Sequence, residues 1–168
     1  MTSETKEVLN VPLFPLFSEE KLSDYTKGFL EAAIDGEGCV MLIKSKRPDR
    51  KTGRVWQPVV KVSNKSRKWL ELVAELASGG RIDKVNRNGP NNYLYVMPRH
   101  VVKRVLPQLG FVIKERQRVL VLEALKILES HHKNITIYEP ERFKRDEERL
   151  DEIKAEINYL NRKGESIE

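Results

Sequence analysis

The sequence predicts an α+β domain in which helices alternate with pairs of antiparallel strands. Three patterns support this class: helical spacing over residues 24–35, period-two alternation over 55–63, and a second hairpin pattern over 81–97. A chain of 168 residues is long enough for one domain with a substantial core and short for two. We therefore expect a single domain, with an N-terminal arm (1–22), a core (23–132) and a C-terminal helix (133–168).

The first predicted helix covers residues 24–35. Ser23 is a typical N-cap residue, and the glycines at 36 and 38 can end the helix. The next pattern is a strand over 39–47, a turn-rich loop over 48–54 and a return strand over 55–63. In the return strand, Pro58 predicts an edge or a bulge, because proline cannot donate to a neighbouring strand.

The second half of the chain repeats this order and then becomes helical. An amphipathic helix over 66–78 is followed by a hairpin over 81–97, with Asn88-Gly89-Pro90 at its tip. Helical periodicity returns in three further segments, 98–109, 114–132 and 140–163. The predicted architecture is therefore α-β-β-α-β-β-α with a four-stranded antiparallel sheet and additional C-terminal helices.

Basic residues are concentrated in the middle of the chain. The formal charge is +6 and the pI is about 9.4. Residues 39–68 alone contain ten Lys or Arg and a single acid, Asp49. Such a concentration favours a polyanionic partner, since clustered positive charge binds phosphate backbones.

Several functional classes have no support in the sequence. With one cysteine, Cys39, neither an internal disulfide nor a multi-cysteine zinc site can form. The chain contains no phosphate-binding P-loop, dinucleotide-binding glycine fingerprint or zinc-protease helix motif, so we expect no nucleotide cofactor. It also has neither a secretory leader nor a long apolar span. We therefore expect no membrane role and a location in the cytoplasm, an organelle or a nucleoid.

Small residues recur along the first helix. Gly28, Ala32 and Gly36 are spaced four apart and so lie on one ridge, where another backbone can approach closely. The spacing alone permits packing against the protein's own sheet or against a second helix. Glu37 follows the ridge and stands between two glycines, a position where its carboxylate suits a hard metal cation.

The stretch "LEAAIDGEG" (30–38) resembles the LAGLIDADG motif of homing endonucleases, with direct matches at Leu30, Ile34, Asp35 and Gly38. The segments "VSNKSRKWL" (62–70) and "FVIKERQRVLVL" (111–122) also resemble later parts of that family. The similarity is greatest to members that carry one motif and act as homodimers. It implies a saddle-shaped sheet and a dimer interface at the motif helix, formed by Gly28, Ala32, Ala33 and Gly36.

The resemblance also implies a metal-dependent active site. Glu37 corresponds to the metal-binding acid, the Gly36 carbonyl is a further candidate ligand, and Asp35 is more structural and a second candidate ligand. The expected metal is Mg²⁺, with Ca²⁺ or Mn²⁺ as possible substitutes. The remaining catalytic candidates are Asn64, which would order water, and the basic residues Lys68 and Lys114.

In the family, the sheet reads double-stranded DNA, and strand alternation decides which residues face it. With Trp56, Val60 and Val62 facing the core, the predicted base-facing residues are Met41, Ile43, Ser45, Arg47, Gln57, Lys61 and Ser63. Predicted phosphate or flanking contacts are Lys44, Lys46, Arg50, Lys51 and Arg54. The second hairpin adds Arg81, Lys84, Arg87, Tyr93 and Tyr95 as candidates.

These implications favour an intron-encoded, sequence-specific endonuclease that cuts both strands of a long, pseudo-palindromic site and leaves short 3′ overhangs. An RNA-binding intron maturase of the same fold remains an alternative, since a basic surface serves RNA as well. A non-catalytic DNA-binding regulator is a second alternative, in which Glu37 would be dispensable.

Overall fold

The structure, a computed structural model, describes residues 21–48, 54–85, 92–133 and 139–163. Helices pack on one face of a four-stranded antiparallel sheet, as the α+β prediction requires. The elements in chain order are α1 (Asp24–Glu37), β1 (Gly38–Lys46), β2 (Arg54–Asn64), α2 (Arg67–Leu76), β3 (Arg81–Val85), β4 (Asn92–Met97), α3 (Arg99–Val105), a 3₁₀ turn (Leu106–Gln108), α4 (Glu115–Lys133) and α5 (Pro140–Lys163). The predicted arm, apart from residues 21 and 22, and the hairpin tip at 88–90 lie outside the described residues.

The two hairpins join through their inner strands. The sheet order is β1-β2-β4-β3, and β2 pairs with β4 from Val60 opposite Met97 to Asn64 opposite Tyr93. The outer half of β2 extends beyond this pairing and, among the described strands, pairs with β1 alone. Pro58 lies in that half, opposite Leu42 of β1, so the predicted edge position is confirmed.

Local signals determine where α1 begins and ends. The Ser23 hydroxyl accepts a hydrogen bond from the Thr26 backbone N–H at 3.1 Å, which caps the first turn. The helix continues two residues past the predicted end, to Glu37, and the chain becomes extended at Gly38. A Cβ atom at Gly38 would lie 2.6 Å from the Ile34 carbonyl oxygen, so the passage from helix to β1 requires glycine at this position.

The core lies between the sheet and the helices. Leu30 and Ile34 of α1 are fully buried and share the core with Val60 and Val62 of β2. The core also includes Leu70 and Val73 of α2, Leu120 and Val121 of α4, and Leu150, Ile153 and Ile157 of α5. None of the helices in the described ranges is long and apolar enough to cross a bilayer.

Helix α5 occupies the sheet face that carries Lys44, and this corrects one predicted contact. The Lys44 ammonium lies 2.6 and 2.7 Å from the two carboxylate oxygens of Asp151 and 4.6 Å from the centre of the Trp56 ring. Trp56 donates its indole N–H to Glu147 at 2.6 Å. Lys44 therefore anchors α5 to β1 and does not face DNA as predicted, because its charge is paired on the helical side.

The register of the second hairpin corrects one further prediction, that Tyr95 contacts DNA. Tyr95 lies opposite Val62, is fully buried and donates its hydroxyl to the Gly79 carbonyl at 2.6 Å. Burial raises the pKa of this phenol above its ordinary value. Tyr93 and Lys84 lie on the same side of the sheet as Tyr95, because Tyr93 is two residues before it on β4 and Lys84 is opposite Tyr93. Lys84 is exposed and Tyr93 is half-buried, so both stay predicted DNA contacts.

Replacing Gly80 by Ala should destabilise the fold. Gly80 has a φ of +102°, which residues other than glycine rarely adopt. A Cβ atom there would also lie 2.7 Å from the Tyr95 hydroxyl oxygen and would clash with this fully buried side chain. We expect the free energy of unfolding in urea to fall by at least about 2 kcal/mol at fixed protein concentration.

Gly110→Ala is the matched control for this substitution. Its Cβ atom would meet only the Glu31 carboxylate, at 3.9 Å, so the change should stay below about 1 kcal/mol. Equal unfolding midpoints for the two variants would contradict the proposed clash with Tyr95.

Candidate active site

A cleft of about 520 Å³ opens at the C-terminal end of α1. It contains both Glu37 and Asn64, two residues that the sequence predicted to act together although 27 positions separate them. The described residues that line it are Glu37, Ser63, Asn64, Lys65, Val85, Asn92, Tyr93 and Leu94. Among these, Glu37 is the one acid and Lys65 the one strong base.

The turn between β2 and α2 positions the polar side of the cleft. The Asn64 side-chain oxygen accepts a hydrogen bond from the Ser66 N–H at 2.8 Å, and the Ser66 hydroxyl caps α2 at Trp69 N at 3.2 Å. Such Asx turns hold the amide in one orientation. Lys65 lies in the middle of the turn and lines the cleft, whereas Lys68 is the second residue of α2 and is not part of the described lining.

Lys65 was not predicted as a site residue. The available signal was its place between an Asx-forming asparagine and a helix N-cap, which fixes the backbone on both sides of the lysine. Two adjacent charged candidates, Arg67 and Lys68, carry the same charge, and the sequence offered no way to choose among them. The pairing of β2 with β4 made that choice by bringing Asn92 and Tyr93 to this end of the turn.

Asp35 holds the chain segment that precedes α4. Its carboxylate accepts three backbone hydrogen bonds, from Val112 N at 2.7 Å, Ile113 N at 3.2 Å and Lys114 N at 2.9 Å. One turn earlier, Glu31 accepts a bond from Gly110 N at 2.7 Å. These bonds engage both Asp35 oxygens, which supports the structural role of Asp35 over its use as a metal ligand.

Lys114 lies against the end of α1. Its ammonium donates to the Asp35 carbonyl oxygen, one peptide before Gly36. A positive charge at a helix C-terminus is favourable, because the last carbonyls carry partial negative charge. Lys114 therefore lies against the end of the helix that carries Glu37, although it is not part of the described cleft lining, and its catalytic role stays a prediction.

The ridge on α1 points away from the protein's own sheet. Gly28, Ala32 and Gly36 are exposed, and no heavy atom of the described structure lies within 4 Å of a Cβ built at either glycine. Close packing against the sheet is thus excluded as the reason for the small residues. Ala33 is 4% exposed and belongs to the core, so its predicted place at a dimer interface is wrong.

Large apolar side chains are exposed near the ridge. Tyr25 is one helical turn from Gly28 and is 69% exposed, while Val112 and Ile113 are 93% and 70% exposed. The bonds to Asp35 hold Val112 and Ile113 beside α1. Exposed apolar groups around a strip of small residues are typical of a surface that a partner covers.

The sheet face opposite the helices, here called the outer face, contains most of the predicted base-facing residues. The registers place Met41, Ile43, Ser45, Gln57, Lys61, Ser63 and Arg81 on it. It also includes residues that were not predicted, namely Cys39, Val55, Val59, Asp83, Val85, Asn92, Leu94 and Val96.

The predicted phosphate contacts lie at the far end of the first hairpin. Lys46 and Arg54 are opposite each other in the strand register there, and Arg47 follows the end of β1. Arg50, Lys51 and Arg87 lie outside the described residues.

The oxygen donors at the end of α1 fit a hard divalent cation. The Glu37 carboxylate and the Gly36 carbonyl are adjacent oxygen ligands of the type that Mg²⁺ and Ca²⁺ prefer. Within the described ranges, no three His, Cys, Asp or Glu side chains gather into a metal-binding group.

No family model and no curated protein sequence matches the chain. Several solved structures are similar to it. The structure is similar to the archaeal intron-encoded homing endonuclease I-Vdi141I complexed with DNA, with a TM-score of 0.64 and 23% identity, over 82% of this chain and 92% of that chain. For the homing endonuclease I-TnaI the TM-score is 0.60 at 20% identity, over 84% and 97% of the two chains. I-SmaMI, bound to an uncleaved DNA target with calcium ions, gives 0.62 at 20% identity, over 78% of this chain and 44% of that one.

Asp35→Asn should destabilise the protein, whereas Glu37→Gln should not. An asparagine has one side-chain oxygen and no charge, so at least one N–H before α4 would lose its partner, at a cost of about 1–3 kcal/mol. Glu37 is exposed, so its substitution should change the free energy of unfolding by less than about 0.5 kcal/mol.

Urea unfolding and amide hydrogen exchange at residues 112–114 test this difference. Faster exchange at these amides in Asp35→Asn alone is the expected result. If Asp35→Asn left their protection unchanged, the carboxylate would not be what holds this segment.

Proposed function

Since this chain has the fold of the LAGLIDADG homing endonucleases, we propose that it is a homodimeric, metal-dependent endonuclease that cuts double-stranded DNA. The observation that carries the proposal is the position of Glu37. Its carboxylate lies at the end of a helix, in a cleft shared with Asn64, and directly beyond an exposed ridge that a second copy can cover.

The ridge supports the homodimer. If two α1 helices pack on each other through Gly28, Ala32 and Gly36, a two-fold axis runs beside the helix ends and brings two Glu37 residues together. Tyr25, Val112 and Ile113 would then be covered at the edge of this contact. The lengths of the matched solved structures support this arrangement. The chain spans nearly all of I-Vdi141I and I-TnaI but less than half of I-SmaMI, whose single chain is long enough for two such units.

The chemistry follows from the groups at the cleft. Glu37 and the Gly36 carbonyl of each copy would hold Mg²⁺, which supplies an acidified water and a positive charge at the scissile phosphate. Asn64, held by its turn, would orient the attacking water. Lys65 in the cleft would balance the charge that develops on the phosphate and on the leaving oxygen. Lys68 and Lys114 remain proposed as the neighbouring cations on either side.

The outer face would bind the major groove on both sides of the cleavage site. Strand side chains alternate, so this face presents residues such as Gln57, Lys61 and Ser63 to base edges. Met41, Ile43 and Leu94 are apolar and suit the methyl groups of thymine. Basic residues at the end of the first hairpin, including Arg47, Lys46 and Arg54, would contact phosphates.

Glu37→Gln should abolish cleavage and preserve binding. The amide keeps the size of the side chain and removes the charge that a divalent cation requires, so the rate should fall by more than about a hundredfold. The test is to incubate the protein and Mg²⁺ with a long randomised duplex library, sequence the ends that form, and measure binding of the selected site separately.

Glu75→Gln is the matched control, because it makes the same change in charge on an exposed turn of α2 away from the cleft. Staggered ends from the wild type and the control, absent with Glu37→Gln, are the expected result. Bound but intact DNA with all three proteins would favour the regulator, and selective retention of intron RNA would favour the maturase.

Ala32→Leu should weaken the dimer. Three added carbon atoms in the middle of a ridge of small residues would force the two helices apart. Because the interface is two-fold symmetric, each dimer contains the substitution twice, which doubles the loss of binding energy. We expect the dimer dissociation constant to rise at least about tenfold in sedimentation equilibrium. Ala155→Leu, at an exposed position of α5, is the control and should leave the dimer unchanged. Wild-type sedimentation of Ala32→Leu would show that the ridge does not form the interface.

A further inference from the structure

The outer face contains one acid among its described strand residues, Asp83 of β3. A carboxylate on a surface that binds DNA costs binding energy, because it faces the phosphate backbone and must lose water in the groove. Asp83 is therefore the least expected residue on this face if the face merely needs to be basic. Its surroundings indicate what it does.

Asp83 is hydrogen-bonded to Arg81 on the same face of the same strand. The two side chains are two residues apart, and Arg81 donates from Nε to the Asp83 carboxylate at 2.9 Å. The row across the sheet at Arg81 contains Val96 and Lys61, and the row at Asp83 contains Leu94 and Ser63. Arg81 is thus a cation held by an acid, with apolar Val96 beside it and a second cation, Lys61, one strand further along the same row.

The bond to Asp83 uses the inner nitrogen of the guanidinium. Arginine recognises guanine end-on by donating from its two terminal nitrogens to O6 and N7, and no other base pair presents two acceptors in this arrangement. Holding Nε fixes the plane of the guanidinium in advance and reduces the freedom lost on binding. A lone arginine that only contacts phosphate has no need of such a fixed plane.

We propose that Arg81 reads a guanine in each half of the DNA target and that Asp83 is the positioning residue that aims its guanidinium. This inference rests on the proposed DNA-binding function of the outer face. Arg81 lies four residues along β3 from Val85 in the cleft, about 13 Å at the rise of a strand. The base pair that it reads is therefore separate from the one that is cut, and the two-fold axis places it at matching positions in both halves.

Two other roles for Arg81 and Asp83 predict different effects of their substitution on DNA binding. If Arg81 contacts phosphate, its loss weakens binding equally at all sequences and lowers the salt dependence. If Asp83 itself accepts a hydrogen bond from cytosine N4, then Asp83→Asn removes a base preference that Arg81→Ala leaves in place. Selection from a randomised duplex library separates these cases, because it reports base preference position by position.

The experiment compares wild type, Arg81→Ala, Asp83→Asn and the double variant in the bound and the cleaved pools of that library. We expect a guanine preference of about ten- to a hundredfold at one pair of symmetric positions in the wild type, lost in Arg81→Ala and reduced in Asp83→Asn. The double variant should match Arg81→Ala, because Asp83 acts through Arg81.

Arg149→Ala is the control, since Arg149 makes a similar Nε bond to Glu123, 2.7 Å long, in the helical layer away from the outer face. Its base preferences should equal those of the wild type. An unchanged guanine preference in Arg81→Ala, or a uniform loss of affinity, overturns the inference. If no variant cleaves DNA, the endonuclease proposal fails, while the bound pool still decides the role of Arg81.

Discussion

The carboxylate of Asp35 makes the connection on which the arrangement of the candidate site depends. It accepts three backbone N–H groups from the segment before α4, and those groups have no partner within the helix that follows. A charged acceptor at the start of a helix also interacts favourably with the helix dipole. The end of α1 and the beginning of α4 are therefore held together, with Glu37 projecting just beyond the junction.

Helix α1 divides its surface among three tasks. Leu30 and Ile34 face the core, Glu31 and Asp35 bind the segment before α4, and the ridge of Gly28, Ala32 and Gly36 remains exposed. These sets recur every three or four residues, so a helix presents each as a continuous stripe. Because two stripes are already occupied within the chain, the orientation of the third is fixed before any partner binds.

The error at Tyr95 has its origin in strand orientation. In β2, large apolar residues alternate with polar ones, and the inward face was predicted correctly from Trp56, Val60 and Val62. In β4, "NYLYVM" has apolar or aromatic residues on both faces, so alternation defines two sets without saying which is buried. Pairing with β2 decides this, and it places Tyr95 inside and Leu94 on the outer face.

The sequence by itself determined the order of the helices and strands, the capped start of α1 and the isolation of Glu37 at its end. Each of these depends on neighbours within a few positions, where hydrogen-bonding rules and helical or strand periods apply directly. The tertiary structure alone decided that Lys44 pairs with Asp151, that Lys65 and not Lys68 lines the cleft, and that the side of β3 with Arg81 and Asp83 is the outer face. A lysine or arginine adds the same formal charge to the composition whether it is exposed or in an ion pair, so composition cannot reveal a partner such as Asp151, which only the packing of distant elements brings to Lys44.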